Sequence, residues 1–249
     1  MTRYVSFPLA LATALTLSLT ACGGDDDKKD AGTALTPTPS STPSAPSSTS
    51  PTSPTSTVPV TRTADELTKA LLELNDLPSG FSQEKDEADD GSKPFSSSSS
   101  RCKTLVKYLN ATKAPGSKAS VTRTFTGGQE GPYIDYGLDS MGTAAEVGDL
   151  RDSYAKAVDS CTKVTLKTEG SGNTSMKVEK ITAPAYGTKP FAFQLTGTSG
   201  PKRGLEYTAA VTGVGDVIIS VGVLAGQGGE LEPATEAAVT KARQVLRPA

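Results

Sequence analysis

The chain contains neither histidine nor tryptophan, so its three thiols are its most distinctive chemical groups. One of them, Cys22, directly follows Leu19-Thr20-Ala21 at the end of an apolar run and is followed at once by Gly23, Gly24 and the acidic trio Asp25, Asp26 and Asp27. A thiol is the group that diacylglycerol can alkylate, and small residues ahead of it suit a cut that leaves the cysteine as a new N-terminus. Cys22 is therefore the candidate lipidation site, carrying palmitate-type acyl chains. The other two, Cys102 and Cys161, pair naturally if the protein sits in an oxidising compartment; the alternative is two free buried thiols. A bridge over that interval is worth about 4 kcal/mol in the chain-entropy picture.

The missing histidine removes most zinc sites, histidine-based triads and cysteine–histidine dyads. Catalysis would then need paired carboxylates or a serine–lysine arrangement. The candidates are Asp135 with Asp139 near one strand end, and Ser153 with Lys156 on one helix; each is more easily explained as solvated surface. Asp86, Asp90 and Gly91 suggest a calcium loop, but Ala88 stands at the third ligand position and Ser97 where the closing glutamate belongs. No metal is expected. The Gly228-Gly229 pair has no phosphate-binding spacing, so no cofactor is expected either. The formal charge of −2 gives no basis for nucleic acid, and removing Arg3 with a leader makes it more negative.

Three segments position these groups. Residues 1–21 have one charge, Arg3, ahead of a short apolar stretch, as in a secretory leader. With Cys22 at its end this leader resembles the lipobox type of bacterial lipoproteins. Interruption by Pro8 and several hydroxyl residues makes it a poor membrane span, which needs about 20 apolar residues. Residues 22–62 are dominated by Thr, Ser, Pro and Ala, a composition that cannot bury enough apolar surface to order itself. Extended at about 3.1 Å per residue, this linker would reach on the order of 100 Å. Residues 63–249 are sufficient for one domain with its own core.

Within that domain, Thr63-Ala64-Asp65-Glu66 and Thr143-Ala144-Ala145-Glu146 are capping boxes. The first opens a helix with Leu67, Ala70, Leu71 and Leu74 on one face. The second opens a helix whose stripe is Val147, Leu150, Tyr154, Val158 and Cys161. Cys102–Asn110 fits a short helix, and residues 84–100 read as a loop. Strands are expected over 118–126, around Ile134, Tyr136 and Leu138, and over 164–167, 176–181, 191–195, 205–211 and 217–224. The last is the most apolar and is expected to be central. Tyr133 and Asp135 fall on the other side of their strand, as a polar binding face or as ordinary wet surface. Phe191, Phe193 and Leu195 alternate, as the lining of an apolar cavity or as plain core. Pro233 starts a closing helix with Ala234, Ala238, Val239, Ala242, Val245 and Leu246 available for packing. The expected class is α+β: one domain with a mostly antiparallel sheet and helices packed on one face. Asn110-Ala111-Thr112 and Asn173-Thr174-Ser175 match glycosylation sequons by chance.

Three features taken in order resemble the extracellular sensor domain of mycobacterial PknH-type serine/threonine kinases and the actinobacterial lipoproteins built on it. They are the opening helix leading to Leu77-Pro78-Ser79-Gly80-Phe81, the helix ending Ser153-Tyr154-Ala155 to Ser160-Cys161, and the Val217–Val223 strand followed by a terminal helix. The resemblance implies a disulfide-braced α+β domain with a ligand cleft. Of the family's usual four cysteines only Cys102 and Cys161 are available here, so one bridge carries over. With no kinase motif in the chain, signalling would need a membrane partner. The expectation is a lipid-anchored binding or sensor-like protein on the extracellular face of the cell membrane, taking a small envelope ligand. The alternatives are a lipid or glycolipid carrier with an apolar cavity, or a histidine-independent envelope hydrolase.

Overall fold

The computed structural model describes residues 62–85 and 91–246, all within the second of the two units into which the chain divides, residues 54–249. The leader, Cys22 and nearly all of the linker lie outside the described residues, as do Asp86, Ala88 and Asp90 of the rejected calcium loop.

Helix α1 (Ala64–Ala70) begins where expected. Thr63 Oγ1 accepts the Glu66 N–H at 3.2 Å and the Thr63 N–H donates to Glu66 Oε2 at 2.7 Å, a reciprocal cap. It ends earlier than the sequence suggests. The chain turns extended at Leu71, which lets Leu71 and Leu72 both bury, while Leu74 moves into a 3-10 turn and is 44% exposed. Two further helices follow, α2 (Lys103–Leu109) and α3 (Ala144–Ser160), the latter capped by Thr143. The closing α4 spans Leu231–Val245, two residues ahead of Pro233; it buries Ala234, Ala238, Val239 and Ala242 and leaves Val245 exposed.

The strands are β1 (Ser82–Gln83), β2 (Phe95–Ser96), β3 (Ala119–Thr126), β4 (Tyr133–Ser140), β5 (Lys163–Thr168), β6 (Gly172–Ile181), β7 (Thr188–Ser199), β8 (Glu206–Val214) and β9 (Val217–Leu224). They form one sheet in the order β1-β3-β4-β9-β8-β7-β6-β5-β2, antiparallel throughout. The class is α+β, and β9 lies near the middle of the sheet as its composition requires. The two-residue strands β1 and β2 close the ends of the sheet, β1 just ahead of the stretch 84–100 that reads as a loop and β2 within it. Asn110 fastens β2: its Oδ1 accepts the Phe95 N–H at 2.9 Å and its Nδ2 donates to the Phe95 carbonyl at 2.8 Å.

Helices pack on one face within each half of the sheet, but the face changes between halves. Phe125, Ile134, Tyr136 and Leu138, with Val217, Ile219, Val221 and Val223, pack against α1 and α4. Val164, Met176, Val178, Phe191, Phe193, Leu195 and Ala209 pack against α2 and α3. Ile218, between Val217 and Ile219, points the other way and meets Val147 and Leu150 of α3. Side chains alternate along a strand, so β9 is buried on both sides. That is why it reads as a near-continuous apolar run.

Candidate functional site

Helix α4 covers β8 and β9 but stops short of β6 and β7, which leaves a step where the sheet emerges from beneath it. Two connections wall this step. The first, residues 182–187, is held by Tyr186: its carbonyl accepts the Thr212 Oγ1 proton at 2.9 Å, and its phenol bonds to Glu236 of α4. That bond, with the nearby Glu232 charge, raises the phenol above its ordinary range. The second, residues 225–230, turns from β9 into α4. Gly228 and Gly229 take positive φ of 94° and 95°, where a side chain would be strained. The Gln227 N–H donates to Glu230 Oε1 at 2.8 Å, and the Ala225 N–H donates to the Glu206 carbonyl at 3.0 Å.

Between these walls lies a cleft of about 530 Å³, inside the roughly 300–1,000 Å³ range of small-molecule sites. Its floor is the cross-strand row Gln194, Thr208 and Val223, one residue from each of β7, β8 and β9. Ile181, Pro184 and Leu231 add apolar surface, and Glu206, Glu230 and Glu232 add carboxylates. No described residue hydrogen-bonds the side chains of Gln194, Thr208 or Glu206. The cleft therefore presents an amide, a hydroxyl and a carboxylate that the described residues leave unused, the few convergent polar groups of a binding site.

The residues singled out from the sequence lie elsewhere. Asp135 stands on the face opposite the cleft, accepting the Thr124 hydroxyl at 2.8 Å. Neighbouring structure raises its carboxyl by burial, offset in part by that hydrogen bond. On the same face Tyr207 lies across Gly222, whose Cβ, if present, would stand 2.6 Å from the phenol oxygen. Asp139 is buried and accepts the Ala114 N–H at 3.1 Å. Four residues along one strand face place the two carboxylates about 13 Å apart, wider than the roughly 9.5 Å limit of a carboxylate pair flanking one bond. Ser153 Oγ is engaged by Tyr108 Oη at 2.6 Å, while Lys156 is exposed, and no hydrogen bond joins the two side chains among the described residues.

Phe191, Phe193 and Leu195 are 3%, 4% and 0% exposed and form core beneath α2 and α3, not a cavity wall. Cys102 and Cys161 are joined, with an S–S distance of 2.07 Å, linking the start of α2 to the end of α3. Among the described residues, no group of three or more acidic or cysteine side chains is placed to hold a metal.

Gln194, Thr208 and Glu206 were missed because a polar residue between apolar ones on a strand reads as wet surface. The glycine-rich stretch Gly226-Gln227-Gly228-Gly229 was the available signal, since it marks the bend that makes one wall.

No family model matches this sequence, and no curated protein matches it at a significant level. Among solved structures the fold is similar to the extracellular domain of PknH from Mycobacterium tuberculosis, with a TM-score of 0.57 and 16% identity over 76% of this chain and 98% of that one. At that identity the likeness is one of fold.

Proposed function

We propose that this chain is a lipid-anchored, extracytoplasmic binding protein of sensor-like type, held to the membrane through Cys22 and taking a small envelope ligand in the α4 cleft. The carrying observation is the cleft of about 530 Å³ in which the side chains of Gln194, Thr208 and Glu206 have no hydrogen-bond partner among the described residues. A fold shared with the extracellular domain of a kinase supports the sensor-like reading. The widely separated aspartates and the engaged Ser153 favour binding over catalysis. The burial of Phe191, Phe193 and Leu195 removes the support for an apolar lipid carrier. The partner this reading implies is a membrane signalling protein.

The test is thermal unfolding of the mature protein against a panel of envelope metabolites. A true ligand at about 100 times its Kd adds roughly 2.7 kcal/mol, or about 5–10 °C in Tm for a domain of this size. Thr208→Trp, which fills the cleft, abolishes that shift. A shift that survives Thr208→Trp, or no shift with any panel member, contradicts the assignment.

A further inference from the structure

We propose that the ligand of the α4 cleft carries a cationic amine on a short apolar body. This rests on the cleft being the binding site and adds the charge of what enters it. Among the described residues, the lining holds Glu206, Glu230 and Glu232 and no lysine or arginine. Lys202 and Arg203, in the neighbouring β7–β8 turn, are exposed and do not line it.

The three carboxylates do not carry equal weight. Glu230 already accepts the Gln227 N–H, and a Cβ at Gly226 would stand 2.9 Å from its Oε2, so it serves the loop. Glu232 lies in the first turn of α4, where the helix dipole favours an acid whether or not a ligand is present. Glu206 has neither explanation. It sits at the start of β8, bonded to no described side chain, beside a floor whose amide and hydroxyl are also unused.

A carboxylate accepts hydrogen bonds and donates none, whereas Gln194 and Thr208 do both. An ammonium group supplies three donors and the complementary charge. Ile181, Pro184 and Val223 would cover the carbon chain behind it. An anionic ligand would meet repulsion from every charged group in the lining.

Three probes of one carbon length separate charge from shape: cadaverine, 1,5-pentanediol and glutarate, each titrated to about 10 mM into the isotopically labelled mature protein and followed by amide NMR shifts. Cadaverine is expected to move the amides of Gln194, Glu206 and Thr208, with the diol and the diacid leaving them in place. Glu206→Gln should weaken cadaverine about tenfold while the rest of the spectrum stays unchanged, which shows the fold intact. Equal shifts from the diol at these amides overturn the charge assignment and leave the cleft as a binding site. No cadaverine shift there, or shifts spread evenly over other acidic surface such as Asp149 and Asp152, overturns the amine proposal. The metabolite panel tests the cleft itself independently.

Discussion

Tyr136 buries a hydroxyl with no hydrogen-bond partner among the described residues, and burial, with the Asp76 charge nearby, raises its phenol. An unmade bond costs desolvation and returns nothing. Tyr136→Phe should therefore be neutral or stabilising by up to about 1 kcal/mol in urea titration, and a clear loss would show a partner was removed. Arg62 is the opposite case. Its Nε donates to Asp216 Oδ1 at 2.8 Å and Oδ2 at 3.0 Å, with the two side chains only 12% and 6% exposed. Arg62→Ala strands a buried carboxylate that, among the described residues, keeps only the Ser140 hydroxyl, and should cost about 3 kcal/mol. Asp135 has a pH signature. Its carboxyl is raised from 3.8 by burial, so the folded state holds that proton more tightly than the unfolded chain. Its contribution to stability is complete below 3.8 and is lost as pH rises through the raised value. Asp135→Asn should give a small gain at neutral pH and none at pH 3; a gain that grows with acidity would contradict this. At this scale the sequence revealed the caps at Thr63 and Thr143 and the paired cysteines, because each is a local pattern or a matter of counting. It hid the cleft floor, because Gln194 and Thr208 become a site only when connections at 182–187 and 225–230 arrive from elsewhere in the chain.

The elements divide along the same line between local and distant causes. Helix α3 and strands β3 to β9 carry periodic apolar patterns and were legible. The strands β1 and β2 are two residues each, too short to show any period; they exist because a sheet edge and the Asn110 clamp receive them. The same clamp uses both ends of the Asn110 amide, which agrees with reading its sequon as chance. The early end of α1 was likewise illegible, since Leu71 and Leu72 gain burial by leaving the helix. At the other side of the sheet the Cys102–Cys161 bridge spans 59 residues and closes α2 onto α3. Reduction should lower stability by about 4 kcal/mol, measured as the difference between denaturant titrations with and without reductant. A difference below 1 kcal/mol would mean that packing in this half of the sheet holds α2 without the bridge.

Across the whole domain, β9 runs from the turn that holds Asp216 to the mouth of the cleft. Its eight residues set these two ends about 24 Å apart. Arg62, where the linker joins the fold, is bound at the first end; Gly226, Glu230 and Glu206 are at the second. Among the described residues, Arg62 and the cleft therefore lie at opposite ends of β9. The antiparallel sheet and its central strand follow from composition and turn spacing. The exchange of helices between faces does not, because it depends on which half of a two-sided strand each helix reaches. The central claim is that Cys22 becomes an acylated N-terminus and hangs this domain outside the membrane. Metabolic labelling with an alkyne fatty acid tests it most directly: label on the wild-type chain, with none on Cys22→Ala and that variant released from the membrane, is the predicted result. Full labelling and membrane retention of Cys22→Ala would contradict it.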